Sequence, residues 1–352
     1  MSISRTTFPF RRSQACKSLL VTGGIGYIGS HTVVELLVAG HDVTIVDNLS
    51  NSKSSVIDRI EKIAGRRPRF VEADIRDRRA IRQLLCESDV TAVIHFAGLK
   101  SVGESVAAPM RYYDNNVTGS LVLFESMAEA GVKTLVFSSS ATVYGDPASV
   151  PVNENFPLVT TNPYGRSKLM VEEVLRDLAL SDPSWRIGLL RYFNPVGAHL
   201  SGLIGEDPHG IPNNLMPYIA QVATGKLEQL SVYGDDYPTP DGTGIRDYIH
   251  VVDLARGHLD ALNSLQQHKG VLTANLGTGQ GTSVLDVIRA FGKASGKHIP
   301  FRIVGRRPGD VAQCYGDPSY AREAMGWHAH YGIDEMCRDT WRWQRWATSH
   351  QP

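Results

Sequence analysis

A glycine-rich turn near the start of the chain most strongly limits what this sequence can fold into. An apolar run at residues 19–21 leads into Gly23, Gly26 and Gly29, and a helix-like pattern follows until residues 39–40. Such a strand, turn and helix let the backbone approach a pyrophosphate closely, and the helix N-terminus offers free N–H groups to the anion. Three glycines alone also fit an ordinary strand-to-helix corner.

An acidic residue at the end of the next strand favours the first interpretation. Residues 42–46 have the pattern of a second buried strand, and Asp47 follows them. An acid about 20 residues beyond the glycines is where a dinucleotide-binding unit holds the adenosine ribose. The carboxylate would accept hydrogen bonds from both ribose hydroxyls and repel a 2′-phosphate. We therefore predict a site that prefers NAD to NADP, whereas Asp47 as a plain turn residue is the weaker interpretation.

Strand and helix patterns alternate along the rest of the N-terminal half. The predicted strands lie at 69–72, 92–95, 134–137 and 186–190, and the predicted helices at 56–64, 79–86 and 112–130. This alternation predicts an α/β fold, a Rossmann-type doubly wound parallel sheet with helices on both faces. Asp74, Ile75 and the segment 96–100 directly follow predicted strands, so we expect them to line the ligand crevice.

A tyrosine, a lysine and a serine form the candidate catalytic group. Tyr164 and Lys168 follow Pro163, which favours a helix start, and on a helix they share one face. A free phenol with a pKa of roughly 10 is a poor base at neutral pH, but a nearby ammonium group and a positively charged nicotinamide would lower that pKa. Ser140, after the strand at 134–137, can bind the same substrate oxygen. Together they predict proton transfer beside a hydride acceptor, although Tyr-x-x-x-Lys alone is common on solvated helix faces.

These motifs resemble those of the extended short-chain dehydrogenase/reductase family over nearly the whole chain. The segments that carry the likeness are 22–31, 95–105, 138–146, 163–171, 190–199, 205–223 and 241–252. Within the family, the likeness is to members that interconvert UDP-glucose and UDP-galactose at C4. The resemblance implies that reaction here, through a 4-keto intermediate with transient hydride transfer to tightly bound NAD, as a step of galactose metabolism.

The resemblance also implies roles for individual residues. Tyr164 would be the acid/base, with Ser140 and Lys168 as its catalytic partners. The residues expected to contact NAD are Gly23, Gly26, Tyr27, Ile28, Gly29, Asp47, Asn48, Leu49, Ser50, Asn51, Ser52, Asp74, Ile75, Phe96, Ala97, Gly98, Leu99, Lys100, Asn115, Tyr164, Lys168 and Phe193. The residues expected to contact the UDP-sugar are Ser140, Tyr164, Asn194, Asn214, Leu215, Ser231, Val232, Tyr233, Arg246, Arg307, Asp310 and Cys314.

Cys314 departs from the pattern of some relatives that act on glucose and galactose, which carry a tyrosine there. By resemblance, this side chain lies beside the C2 substituent of the sugar. A thiol is smaller than a phenol, so the pocket is expected to admit a 2-acetamido group and to accept UDP-GlcNAc and UDP-GalNAc as well. The alternative is that Cys314 is a small core residue whose neighbours fill the space.

Two other functions fit parts of the same pattern. A nucleotide-sugar 4,6-dehydratase or decarboxylase shares the fold, NAD and the Tyr/Lys pair. Dehydratases, however, carry an Asp-Glu pair directly after the hydroxyl residue, where this chain has Ala141 and Thr142. A non-catalytic NAD-sensing scaffold would not need Ser140, Tyr164 and Lys168 together. Epimerisation at C4 is the favoured prediction.

Composition and the resemblance limit which partners and which compartment we expect. Lys plus Arg and Asp plus Glu both number 36, so no overall charge favours nucleic acid or an acidic membrane surface. The four cysteines lack metal-binding spacing, so no metal is expected and the reducing cytoplasm is the default compartment. By resemblance, a homodimer is expected through helices such as 112–130 and 164–181.

The expected division of the chain has three parts. Residues 1–17 are rich in basic residues and free of acids, and they are expected to form a disordered tail. Residues 18–192 would form the NAD-binding domain, to which some later segments return. Residues 193–350 would mainly form a smaller α/β domain that binds the UDP-sugar.

Overall fold

The computed structural model describes residues 17–208, 212–307 and 309–350, so the predicted tail at 1–17 lies outside the described residues except for Lys17. Its strands are β1 (Ser18–Thr22), β2 (Asp42–Asp47), β3 (Arg69–Glu72), β4 (Ala92–His95), β5 (Thr134–Ser138), β6 (Arg186–Tyr192), β7 (Asn194–Val196), β8 (Leu230–Tyr233), β9 (Ile245–His250), β10 (Gly270–Leu276), β11 (Gly281–Ser283), β12 (Phe301–Val304) and β13 (Gln313–Cys314). Its helices are α1 (Tyr27–Val38), α2 (Ser55–Ala64), α3 (Arg78–Cys86), α4 (Val102–Ala107), α5 (Pro109–Tyr112), α6 (Gly119–Glu129), α7 (Pro163–Ser181), α8 (Leu215–Ala223), α9 (Val251–Ser264), α10 (Val284–Ser295), α11 (Ser319–Met325) and α12 (Ile333–His350).

A parallel sheet of seven strands forms the centre of the described structure. Its order is β10-β6-β5-β4-β1-β2-β3, which confirms the prediction of a Rossmann-type, doubly wound α/β sheet. The order reverses between β1 and β4, and such a reversal leaves a crevice at the carboxyl ends of the two strands. Thr22 Oγ1 lies 2.7 Å from His95 Nδ1, so the ends of these strands are held together beneath that crevice.

Alternate residues of the strands pack on opposite faces of this sheet. Leu19 and Val21 belong to the apolar cluster that includes α1, α2 and α9. Leu20 belongs to a second cluster, which includes α3, α6 and α7. Burial on both faces is the usual state of a parallel sheet, and it explains why these strands are almost entirely apolar in sequence.

The part of the chain after β6 builds a smaller unit. Within the described residues, β9 pairs with β11, β13 and β7, while β8 pairs with β12. Helices α8, α10 and α12 pack with β8 around a third apolar cluster. Strand β10 instead returns to the large sheet beside β6. None of the described helices has the length and apolar character needed to cross a bilayer.

The structure differs from the predicted elements in two informative places. The helix predicted at 112–130 is interrupted, because the chain is π-helical over Tyr113–Thr118 before α6 begins. The side chain of Asn116, in this wider turn, accepts a hydrogen bond from Leu99 N at 2.8 Å and donates to Leu99 O at 3.0 Å. Strand β6 ends at Tyr192 and not at residue 190, because β10 pairs alongside it to that point.

Candidate active site

The glycine turn leaves no room for side chains where it meets the loop after β4. Gly23 has a φ of +68°, and a Cβ there would lie 2.8 Å from Ala97 N. A Cβ on Gly29 would collide with Gly23 O, so the first turn of α1 packs directly against the start of the glycine turn. Gly26 precedes α1 without a capping side chain among the described residues. The N–H groups of the first turn therefore remain available to an anion.

Asp47 is oriented by three donors beside this turn. Ser52 Oγ donates to Asp47 Oδ1 at 2.8 Å, and Leu49 N donates to the same oxygen at 3.0 Å. Ile25 N donates to Oδ2 at 3.4 Å. Burial raises the pKa of this carboxyl, and the hydrogen bonds from Ser52, Leu49 and Ile25 oppose the rise. Asp47 is thus a preorganised acceptor at the end of β2.

The loops after β2 and β3 meet beside Asp47. Asn48 Nδ2 donates to Asp74 Oδ2 at 2.9 Å, and the guanidinium of Arg76 holds the pKa of Asp74 well below its usual range. Ile75 is buried. The other predicted contacts in the loop after β2, Ser50 and Asn51, are exposed.

Helix α7 places the predicted catalytic pair against the end of β5. Asn162 Oδ1 accepts a hydrogen bond from Gly165 N at 2.9 Å, which caps the helix just before Tyr164. Lys168 is buried one turn further along. Its Nζ donates to Ser138 O at 2.8 Å and lies 4.9 Å from the centre of the Phe137 ring. The ammonium group is therefore fixed at the carboxyl end of a central strand.

Three consecutive serines at the end of β5 have separate roles in this arrangement. Ser138 Oγ accepts a short hydrogen bond from Tyr192 OH. Ser139 Oγ donates to Glu172 Oε1 at 2.5 Å. Ser140 Oγ accepts from Thr142 Oγ1 at 3.0 Å, and Ser140 acts to lower the pKa of Tyr164. Of the three, Ser140 is the one that reaches the phenol of Tyr164.

Burial and neighbouring groups act in opposite directions on the pKa of Tyr164. Burial raises the pKa of Tyr164, and the hydrogen bond to Ser140 and the positive charge of Lys100 oppose this rise. Lys100 thus acts on the phenol in the described structure, and the role of Lys168 beside Tyr164 stays a prediction. Burial lowers the pKa of Lys168 to about 8, and the carboxylate of Glu172 partly offsets this effect.

A cavity of about 220 Å³ lies in the smaller unit and collects most of the predicted substrate residues. Those that line it are Asn194, Asn214, Leu215, Ser231, Val232, Tyr233, Arg246, Arg307 and Asp310. Arg246 Nη2 lies 4.0 Å from Asp310 Oδ1, and the guanidinium carbon of Arg307 lies 4.3 Å from the centre of the Tyr233 ring. Two guanidinium groups and an aromatic ring in one cavity are suited to a nucleoside diphosphate.

Cys314 lies between this cavity and the end of β5. It pairs with Arg246 in the small sheet and packs against the apolar group that contains Ala141, Val143 and Phe193. Burial raises the pKa of its thiol to about 11, so the thiol is neutral near pH 7. Cys314, a predicted contact of the sugar, thus packs against the cluster that contains Phe193, a predicted contact of the cofactor.

Several buried polar residues beside the site were not predicted from the sequence. The buried Asn116 contacts Leu99, whereas the contact of its neighbour Asn115 with NAD stays a prediction. Glu172 and Arg191 form a buried ion pair with a 2.6 Å separation of Oε2 and Nη2. Helical spacing from Lys168 could have pointed to Glu172. No local sequence pattern points to Arg191, the partner of Glu172.

Comparison with known proteins identifies the family. A family model described as GDP-mannose 4,6 dehydratase matches residues 20–340. The chain is 59% identical over 327 residues to a UDP-glucose 4-epimerase of Bacillus subtilis (strain 168), an alignment that covers 93% of this chain and 96% of that protein. The chain belongs to the UDP-glucose 4-epimerase family. The resemblance to extended short-chain dehydrogenases/reductases is thereby confirmed.

Solved structures of the UDP-glucose 4-epimerase family share the whole fold. The enzyme from Stenotrophomonas maltophila, crystallised with bound NAD and formylated UDP-arabinopyranose, is 55% identical, with a TM-score of 0.93 over 95% of this chain and 99% of that one. The enzyme from Bifidobacterium longum, in complex with NAD⁺ and UDP, is 53% identical, with a TM-score of 0.92 over 94% of this chain and 99% of that one.

Proposed function

We propose that this protein is an NAD-dependent isomerase that interconverts UDP-glucose and UDP-galactose by epimerisation at C4. One observation carries the proposal: Tyr164, whose pKa responds to Ser140 and to the charge of Lys100, lies at the same sheet edge as the glycine turn. Family members 55% and 53% identical to this chain bind NAD together with a UDP-sugar or UDP, which supports both ligands.

The residues of the crevice fit NAD. The first turn of α1 would bind the pyrophosphate, because Gly23 and Gly29 have no side chains that would block its approach to the backbone N–H groups. Asp47, preoriented by Ser52, would hold the adenosine ribose. The segment 96–100 would border the nicotinamide half. When bound, NAD supplies a hydride acceptor and donor for C4 of the sugar, which allows a 4-keto stage between the two epimers.

Residues of the chain would transfer the proton and stabilise the negative charge on the phenolate. Tyr164, as phenolate, takes the proton of the 4-hydroxyl and later returns it, while Ser140 holds the same oxygen. The ammonium group of Lys100 stabilises the phenolate, since an opposite charge nearby favours the ionised form. Lys168, fixed on Ser138 O, places a second cation beside the cofactor crevice.

The nucleotide part of the substrate would be bound more firmly than the sugar. Arg246 and Arg307 bind the diphosphate through charge-assisted hydrogen bonds, and the other residues of the cavity hold the uridine. The hexose must be held less firmly, because it has to present opposite faces of C4 to the hydride. In this proposal, residues 18–192 with β10 form the cofactor-binding domain, and residues after 193 mainly form the substrate-binding domain.

The dehydratase alternative is not supported. The matched family model carries a dehydratase description, but the positions that would need acidic residues are Ala141 and Thr142. Thr142 donates to Ser140 Oγ and cannot act as the missing acid. The relatives that match over most of the chain are epimerases.

The test is to incubate the purified protein with UDP-galactose without added NAD or NADH. We expect UDP-glucose to appear, and the same final ratio of the two sugars to be reached from UDP-glucose. A 4-keto-6-deoxy product would instead indicate a dehydratase. Ligand binding without any turnover would indicate the non-catalytic scaffold.

We further propose that UDP-GlcNAc and UDP-GalNAc are substrates. A tyrosine in place of Cys314 would overpack the neighbouring sugar pocket around a 2-acetamido group, at about 1–3 kcal/mol. We expect Cys314→Tyr to lose activity on the N-acetylated pair while retaining it on UDP-galactose. The control is Cys337→Ala, which replaces a buried cysteine of α12. It should not change the activity on one pair of sugars relative to the other. Equal loss on both pairs would mean that Cys314 is only a core residue.

We also infer that the protein works as a cytoplasmic homodimer. Apolar side chains are exposed on the helices expected to form the contact, Leu121 on α6 and Met170 on α7, and Met110 of the preceding α5 is 75% exposed. Light scattering on the purified protein tests the assembly, and a monomer mass at micromolar concentration would contradict it.

A further inference from the structure

A loop after β7 contacts both sides of the proposed site. This connecting loop, residues 197–207, is closed by an antiparallel bridge between Ala198 and Gly205. His199 N donates to Ile204 O at 3.1 Å, and Ile204 is buried in the core cluster of the large sheet. The loop is therefore folded back on itself and anchored in the core.

The C-terminal helix holds the end of this loop. Trp343 of α12 is buried, and its Nε1 donates to Glu206 O at 3.0 Å. A Cβ on Gly205 would overlap the indole ring, so the backbone of the loop lies directly against Trp343. The backbone of Glu206 is thus positioned by the core of the protein, independently of the cofactor crevice and the substrate cavity.

The carboxylate of Glu206 joins the two sides. Its Oε1 accepts from Lys100 Nζ at 3.0 Å and from Asn214 Nδ2 at 2.9 Å. Lys100 follows β4 at the cofactor crevice, and Asn214 lines the substrate cavity at the start of α8. The side chain of Glu206 is 12% exposed, whereas that of Lys100 is 49% exposed. The carboxylate of Glu206 is thus largely shielded from water, whereas about half of the Lys100 side chain is accessible.

The charge of Glu206 also acts on the cation beside the phenol. Burial lowers the pKa of Lys100, but Glu206 and Tyr164 outweigh this effect and raise it above its ordinary value. Lys100 in turn opposes the rise in the pKa of Tyr164. A displacement of Lys100 would therefore change the electrostatic interactions of both the Glu206 carboxylate and the Tyr164 phenol.

We propose that Glu206 is a positioning residue that couples the cofactor side to the nucleotide side of the site by holding Lys100 and Asn214 on one carboxylate. The proposal rests on the proposed function in taking NAD and the UDP-sugar as ligands. A cofactor that orders Lys100 would also order Glu206 and, through it, Asn214 in the nucleotide cavity. By thermodynamic reciprocity, a bound nucleotide would favour retention of the cofactor to the same degree.

The first experiment measures UDP binding to the NAD-containing protein by calorimetry. Lys100→Met is informative because Lys100 does not line the cavity proposed for UDP. We expect Lys100→Met and Glu206→Gln each to raise the Kd of UDP about fivefold, and the double variant to be no weaker than Glu206→Gln alone. An unchanged Kd in Lys100→Met, or independent and multiplicative losses in the double variant, would overturn the proposal.

A matched control separates the contacts of Glu206 from the charge of its loop. Asp207→Asn removes the same charge from the next residue, where Asp207 pairs with Lys53 at 2.8 Å on the surface. Exposed pairs contribute little, so UDP affinity should stay within about twofold of the unaltered protein. If Asp207→Asn weakened UDP as much as Glu206→Gln, loop charge would explain the result and Glu206 would have no special role.

The reciprocal measurement follows NAD release and needs no Lys100 variant. Asn214→Ala should accelerate release of NAD from the UDP-saturated protein about fivefold, and it should have no further effect in the Glu206→Gln background. Equal acceleration in both backgrounds would contradict the coupling. If the unaltered protein bound no UDP at all, the proposed function would fail, whereas normal UDP binding without coupling would exclude only the role of Glu206.

Discussion

The two sides of the proposed site are built in opposite ways. On the proton-transfer side, Ser140 and Lys168 are buried at the end of a central strand, and hydrogen bonds of 2.8–3.2 Å fix both groups. On the nucleotide side, Arg307 is exposed, and Arg246 approaches Asp310 only to 4.0 Å in a cavity between short strands. One side is rigid before any ligand binds, and the other keeps its charges accessible to water.

This contrast follows from what each side has to do. The groups that move a proton need a defined protonation state, and burial beside fixed charges sets that state. The groups that hold a UDP-sugar must release it in every turnover, so an exposed arginine such as Arg307, which exchanges water for phosphate, suits that task. Changes on the first side should therefore affect kcat, and changes on the second side should affect KM.

The largest expected effect is that of Tyr164→Phe. Loss of the proton-transfer group should lower kcat on the order of 10³-fold, while calorimetry should find the Kd of UDP unchanged within about twofold. Near-normal turnover would assign the proton transfer to another group. A parallel loss of UDP affinity would show that the two sides cannot be separated.

Lys168→Met should lower kcat about 10²-fold and make the protein more stable. Because burial lowers the pKa of Lys168 from 10.5 to about 8, the unfolded chain binds more protons than the folded one between these pH values. The destabilisation by the buried charge is thus present in full below about pH 8, and it disappears as the pH rises from there toward 10.5. The variant should unfold with a free energy about 1–3 kcal/mol higher at pH 7.

Urea unfolding of the protein at pH 7 and at pH 10 checks this effect of Lys168. The gain of the methionine variant should shrink at the higher pH. Lys133→Met, which removes a partly exposed lysine paired with Asp182 at 2.7 Å, is the control and should bring no gain. A gain that is equal at both pH values would mean that the charge of Lys168 is not its source.

Arg307→Met tests the nucleotide side. We expect KM for UDP-galactose to rise about tenfold with kcat nearly unchanged, since a charge-assisted bond to the diphosphate is lost. The neighbouring Arg306 is a matched control, because its Nε donates to Asp236 at 2.7 Å and it is not among the residues that line the cavity. An equal rise in KM for Arg306→Met and Arg307→Met would indicate that the positive charge of this segment, and not a bond from Arg307 to the diphosphate, is what matters.

The smallest expected effect is that of Asp47→Asn on the choice of cofactor. The amide keeps the shape of the side chain but loses the charge that repels a 2′-phosphate. We expect NAD to bind about threefold more weakly and the preference over NADP to narrow, as measured by fluorescence titration of both cofactors. An unchanged preference would mean that neighbouring groups, and not Asp47, discriminate between them.

The sequence by itself determined the features that depend on short spacing. The glycine turn, Asp47 at a strand end and the helical pair Tyr164 and Lys168 are each set within a few residues of chain, because strand and helix geometry repeats every two and 3.6 residues. The alternation of strands and helices was sufficient to predict the parallel sheet. The residues expected to bind a UDP-sugar came from family resemblance, and the fold collects nine of them in one cavity.

Only the tertiary structure decided which distant side chains meet. Lys100, which lies on a different element, opposes the rise in the pKa of Tyr164. Glu206 lies 106 residues after Lys100 in the chain yet accepts its hydrogen bond. The π-helical turn that aims Asn116 at Leu99 has no marker in the local pattern. Such contacts depend on how separate elements pack together, and no periodicity within a single element records its neighbours in space.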